Sequence, residues 1–118
     1  MIALSKAMVF KMSDDQDKLP EIEIDKVIHE PARLKIMSYL YVVESADFLF
    51  LLSQTGLTKG NLSSHLSKLE SIGYVLIEKE FIEKIPRTMI SLRSEGREAL
   101  LRYRYHMREM LKRLPGEE

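Results

Sequence analysis

Residues 55–75 read Thr55-Gly56-Leu57-Thr58-Lys59-Gly60-Asn61-Leu62-Ser63-Ser64-His65-Leu66-Ser67-Lys68-Leu69-Glu70-Ser71-Ile72-Gly73-Tyr74-Val75. Leu62, Leu66, Leu69 and Ile72 recur at spacings of four, three and three, the period of one buried helical stripe. Thr58 carries a hydroxyl able to accept from a first-turn amide, which makes it an N-cap, and Gly73 closes the stretch. The spacing therefore predicts a helix from Lys59 to about Ile72. Gly56 suits the residue just past the end of a preceding helix, so the tight turn Thr55 to Thr58, with Leu57 buried in it, joins two helices into a helix-turn-helix.

Upstream of this turn, Phe48, Leu49, Leu51 and Leu52 give an apolar helical side, with Ser45 as the expected N-cap and Asp47 in the first turn, where negative charge is favoured. Further back, Pro31 suits a first helical position, where its missing N–H costs nothing. Leu34, Met37, Leu40 and Tyr41 continue from it at helical spacing, predicting a helix at about 31–43 after a short turn at 25–29.

Downstream of Gly73 the period drops from 3.6 to 2. Tyr74–Phe81 and Thr88–Leu92 read as strands, joined by the loop Ile82 to Arg87, whose tip is expected to present Lys84 and Arg87 beside Pro86. A helix-turn-helix followed by a β-hairpin is the winged-helix layout. Ser94 then reads as the N-cap of a long last helix running to about Arg113, with Glu95 in its first turn. Leu100, Tyr103, Met107, Met110 and Leu114 form a heptad-like seam on it and read as a dimer interface. Arg97, Arg104 and Arg108 flank either that interface or a DNA backbone. The fold class is α+β, mostly α: a winged helix-turn-helix with a two- or three-stranded wing sheet and a long C-terminal dimerisation helix. Residues 1–23 form an N-terminal extension and candidate part of the dimer interface, 24–93 the DNA-binding domain, and 94–118 the dimerisation helix and tail.

Composition narrows the chemistry. At 118 residues, 45% hydrophobic and 31% charged, the chain can bury one core and is no disordered tail. With no cysteine it has no disulfide, no Cys-ligated zinc and no thiol catalysis. No apolar run is long enough to span a membrane, and Lys6 and Lys11 interrupt the patch Ala7 to Phe10 before it resembles a signal peptide, so a cytoplasmic location is expected. The 18 basic and 18 acidic residues cancel, but they are segregated. Residues 14–47 hold nine acids against four bases, and 84–113 hold nine bases against three acids. Thr58 to Leu69 contains Lys59 and Lys68 and no acid at all. Polyanion binding requires a local field, not a global excess, so nucleic acid remains a partner this chain can take.

His29-Glu30-Pro31-Ala32-Arg33-Leu34-Lys35-Ile36-Met37 resembles the opening helix of ArsR- and MarR-like regulators. The stretch from Thr55 to Leu66, with Leu69-Glu70 and Gly73-Tyr74-Val75, resembles their recognition helix and its exit. Pro86-Arg87-Thr88 and Leu92 to Arg97 resemble the return strand of their wing and the start of their dimer helix. The resemblance covers roughly residues 25–100. It implies a homodimeric transcriptional regulator on a pseudo-palindromic operator. The chain departs from ArsR metal sensors in having no cysteine and no second histidine beside His106, so no metal is expected. It lacks the longer flanking helices that frame a ligand pocket in larger MarR proteins, and the sequence identifies no small-molecule effector.

In such a reading the helix after Thr58 enters the major groove of double-stranded DNA. Asn61 offers donor and acceptor together to adenine; Lys59 suits a phosphate or a guanine edge. Ser63, Ser64 and Ser67 can bond phosphates or bases, and Lys68 a backbone phosphate. Thr58 is either a cap alone or also a phosphate ligand, and His65 is either half-buried or a DNA contact. Arg87, with Lys84 beside it, is the expected minor-groove or backbone contact of the wing, against the plainer reading of an exposed hairpin arginine. No phosphate-binding glycine loop, nucleophile elbow or framed carboxylate pair is present, and neither an enzyme nor a cofactor is expected. The other function class is a winged-helix module that docks a protein and binds DNA weakly or not at all.

Overall fold

The computed structural model of the chain describes residues 21–116. Most of the N-terminal extension read from the sequence, residues 1–20, lies outside the described residues. Four helices and three strands follow in the order α1 (Pro31–Val43), β1 (Ser45–Asp47), α2 (Phe48–Thr55), α3 (Lys59–Ser71), β2 (Val75–Ile82), β3 (Ile85–Leu92) and α4 (Ser94–Leu111). None of these helices is long and apolar enough to cross a membrane.

Asp25 organises the entry to the domain. Its Oδ1 accepts from the Val27 and Ile28 amides at 2.9 and 3.1 Å, and its Oδ2 from the Tyr74 hydroxyl at 2.6 Å. The resulting turn buries Ile28 completely. Pro31 then opens α1 with Glu30 as N-cap, its carboxylate accepting from the Arg33 amide at 2.8 Å. The helix buries Ile36, Met37 and Leu40, whereas Leu34 is half-buried and Tyr41 lies at the surface. The buried face is thus rotated toward Ile36 relative to the stripe read from the sequence.

Residues 45–47 differ from expectation. Ser45 does not cap α2; it begins β1, which pairs antiparallel with β3 in the register Ser45↔Ser91, Ala46↔Ile90 and Asp47↔Met89. The cap is Asp47, whose carboxylate accepts from the Phe50 amide at 2.8 Å. A three-residue strand has no periodicity of its own and exists because β3 supplies its partners. Gly56, in the left-handed conformation at φ 72°, ends α2 as anticipated, and Thr58 caps α3 by accepting from the Asn61 amide at 3.2 Å.

The sheet order is β1-β3-β2. Its hairpin is tighter than the sequence suggested. The ladder runs from Val75↔Leu92 to Ile82↔Ile85, leaving only Glu83 and Lys84 in the turn, with φ of 52° and 67°. Both turn residues on the left-handed side is the signature of the mirror-image turns that match strand twist. Arg87 therefore does not lie at the tip: it is a strand residue paired with Glu80.

Helix α4 starts one residue earlier than expected. The Arg93 amide donates to the Tyr74 carbonyl at 3.0 Å, which fixes Arg93 as N-cap and makes Ser94 the first helical residue. Ala99, Leu100 and Tyr103 join the core formed by Ile28, Ile36, Met37, Leu40, Leu51, Leu62, Leu66, Leu69, Val75, Ile90 and Leu92. The first half of the supposed dimer seam thus packs on its own domain: Leu100 and Tyr103 are buried within one chain, and the Tyr103 hydroxyl is 2.8 Å from His29 Nδ1. Met107 and Met110 are half-buried and Leu114 is exposed.

Candidate nucleic-acid interface

Helix α3 is amphipathic in an unusual way. Its inner face is Leu62, Leu66 and Leu69, all buried. Its outer face consists of Lys59, Gly60, Asn61, Ser63, Ser64, Ser67 and Lys68, all exposed and none acidic. Small and hydroxyl-bearing side chains leave the helix axis free to approach another surface, while the two lysines supply positive charge. The first acid along the helix is Glu70, in its last turn.

Gly60 lies on this exposed face but is not among the contact residues expected from the sequence. It is helical with an ordinary φ, and an added Cβ would meet nothing within 4 Å. A glycine in a helix costs up to about 1 kcal/mol relative to alanine, and no neighbour among the described residues requires it here. The signal was present in the sequence as a glycine just after a cap, beside Asn61.

His65 leaves this outer face. It is half-buried, its Nδ1 3.1 Å from the Arg33 guanidinium and 3.9 Å from Glu30 Oε1. Because a guanidinium can only donate, Nδ1 accepts and the ring proton sits on Nε2. Arg33 in turn donates to the Val27 carbonyl at 2.6 Å, so His65 links α3 to the start of α1.

The wing packs beside α3. Ser63, Leu66 and Ser67 line one wall of a cleft of about 330 Å³ whose other wall includes Ile77 and Thr88 of the sheet. Successive strand residues point to opposite faces, and directly paired residues share one. The α3 side of the ribbon therefore carries Ile77–Ile90, Lys79–Thr88 and Phe81–Pro86, with no acid. The other side carries Glu78–Met89, Glu80–Arg87 and Ile82–Ile85. Arg87 is on this second side, and its guanidinium donates to Asp47 Oδ2 at 3.0 Å. The expectation that Arg87 leads the wing is corrected accordingly: it ties β3 to the cap of α2. Lys84 does occupy the turn, and Lys79, absent from the sequence-derived set, is the cation on the α3 side. Only the true register, which the longer loop concealed, distinguishes Lys79 from Arg87.

The acid-free outer face of α3 and one acid-free face of the adjoining β-ribbon lie side by side in a winged helix-turn-helix. The comparisons agree. The family model described as winged helix DNA-binding domain matches residues 32–111, and the chain belongs to that family. An uncharacterized protein of Methanocaldococcus jannaschii is 35% identical over 89 residues, spanning 75% of this chain and 97% of its own. A transcriptional regulator homologue from Pyrococcus horikoshii superposes with a TM-score of 0.73 at 28% identity, covering 98% of this chain and all (100%) of its own. A variant of MarR from E. coli shares the fold at a TM-score of 0.61 and 15% identity, covering 98% of this chain and 86% of its own. The architecture is that of MarR-type regulators.

Proposed function

We propose that the chain is a sequence-specific double-stranded DNA-binding transcriptional regulator that acts as a homodimer, repressor-like, on a pseudo-palindromic operator. The observation that carries this reading is the acid-free outer face of α3, continuous across the cleft with the acid-free face of the wing. Lys59 and Asn61, in the first turn of α3, are the base-reading candidates; Ser63, Ser64, Ser67 and Lys68 bind along the backbone. Thr58 serves as the cap, with its hydroxyl already engaged. Lys79 and Lys84 bring charge from the wing. The second half of α4 and the turn that follows it support dimerisation: beyond Tyr103, Tyr105 and Leu111 of the helix and Leu114 after it are 59%, 48% and 62% exposed, with Met107 and Met110 between the first two.

Electrophoretic retardation by the purified protein tests this reading. A duplex selected from a random pool is expected to bind with an affinity that falls steeply as salt rises, by counterion release. Asn61→Ala is expected to cost roughly 1–3 kcal/mol and relax preference at one base pair. An equal loss on every sequence would remove the base-reading role from Asn61. A second reading, a protein-docking winged helix, is favoured by Leu49 and Phe50 of α2, which are 59% and 50% exposed. Failure to retard any duplex at low salt would leave that reading standing alone.

A further inference from the structure

Most of the outward surface near α3 is polar, but the far end of the wing is not. Phe81 is 77% exposed, and Ile82 and Ile85 are 43% and 52% exposed. This tip is tightly closed: cross-strand pairing extends to Ile82↔Ile85, and the turn beyond it has only two residues, both at positive φ. A cluster of exposed apolar side chains at the end of a ribbon is costly to keep in water unless something takes it up.

Its orientation indicates what does. Phe81 and its partner Pro86 lie on the same side of the ribbon as Lys79 and Ile77, the side that faces α3. Glu78 and Glu80, which would repel a phosphate backbone, lie on the other side, where Arg87 lies beside them. Charge is thus sorted between the two faces of a narrow ribbon, and the aromatic ring sits on the face free of acid.

We propose that the wing acts as an apolar wedge: Phe81, backed by Pro86 and flanked by Lys79, enters the minor groove beside the α3 contact and partly opens a base step there. This rests on the DNA-binding reading and adds a specificity determinant to it. An inserted apolar side chain unstacks a step and bends the duplex, at least cost where pyrimidine–purine steps are flexible. The wing would then select sequence by deformability at a position with no hydrogen bond to a base.

The test compares the full chain with Phe81→Ala and Phe81→Leu on a duplex selected from a random pool by the unsubstituted protein. Affinity is measured by retardation, bending by circular permutation of the site, and unstacking by 2-aminopurine fluorescence within it. Phe81→Ala is expected to lose roughly tenfold or more in affinity, the scale of one base–aromatic contact, and to lose both the bend and the fluorescence rise. Phe81→Leu is expected to keep most of the bend. Since Phe81 packs on nothing in the core, the thermal midpoint of both variants is expected to stay at that of the parent chain. Undiminished affinity and bending by Phe81→Ala would overturn the wedge while leaving DNA binding intact, and would point to a protein partner at the tip. Failure of the parent chain to retain any duplex would overturn the DNA-binding reading and the wedge together.

Discussion

The first turns of α3 and α4 each contain a glycine, and the two glycines face opposite worlds. Gly96, in the first turn of α4, is buried against the Tyr74 carbonyl and the Leu92 side chain, and an added Cβ would overlap that carbonyl. Gly60, in the first turn of α3, faces open space. The first is required by what lies inside the chain, whereas nothing described within the chain requires the second. Around Gly96 the polar groups are likewise spent internally: the Tyr74 carbonyl holds the Arg93 amide, and the Tyr74 hydroxyl holds Asp25. Around Gly60, the side chains of Lys59, Asn61, Ser63 and Ser64 are exposed. One junction is closed within the chain, and the other presents its side chains outward.

The sharpest way to break this contrast is Gly96→Ala. Relieving the overlap requires α4 to move away from the start of β2, and overpacking of this kind costs about 2–3 kcal/mol. Chemical denaturation is expected to show a lower midpoint at an unchanged slope. An unchanged midpoint would mean that the α4 junction has slack, and the two glycines would no longer differ in kind.

The Tyr74–Asp25 bond at the same junction gives the next largest effect. Tyr74→Phe removes a donor to a carboxylate and is expected to destabilise by about 1–2 kcal/mol. Burial first, and then the bond to Asp25, push the Tyr74 hydroxyl from its usual 10.0 up to about 12. The neutral phenol is thus the form the fold favours. Its contribution is fully present below pH 10, where the unfolded chain is also protonated, and is lost as pH rises toward about 12. The difference in stability between the parent chain and Tyr74→Phe is therefore expected to be constant up to about pH 10 and to shrink above it. A difference that persists to pH 12 would show that the hydroxyl is not what holds the junction.

These junctions were legible in the sequence to different degrees. Thr58, Gly56 and the leucine stripe of α3 act through neighbours within one or two turns, so residue type and spacing specify them. The same locality made α1 readable from Pro31 to Val43. What escaped depends on distant partners. Strand β1 exists through Ser91, Ile90 and Met89, and Asp47 caps α2 while also receiving Arg87. The hairpin turn Glu83-Lys84 contains neither glycine nor asparagine, the residues that announce positive φ, so residue type alone predicts a longer loop with Arg87 at its tip. The seam on α4 had the right period but not its addressee. Leu100 and Tyr103 turn to their own core, a distinction that spacing cannot make. The outer face of α3, in contrast, was legible because the absence of acids is a local fact.

The smallest expected effect is also the one whose sign separates the two junctions. At Gly60 an alanine would contact nothing among the described residues beyond its own turn of helix, and the backbone there already has an ordinary helical φ. Alanine restricts the unfolded chain and favours the helix, so Gly60→Ala is expected to raise stability by up to about 1 kcal/mol. If the outer face of α3 meets DNA backbone or base edges at close range, the same methyl group stands in the way, and affinity for a selected duplex is expected to fall several-fold. Opposite signs in a thermal melt and a retardation assay on one variant are what a residue chosen for an external surface produces. A variant both more stable and equally tight on DNA would mean that α3 approaches its partner through its longer side chains alone, with Lys59 and Asn61 reaching across a gap that Gly60 does not need to keep open.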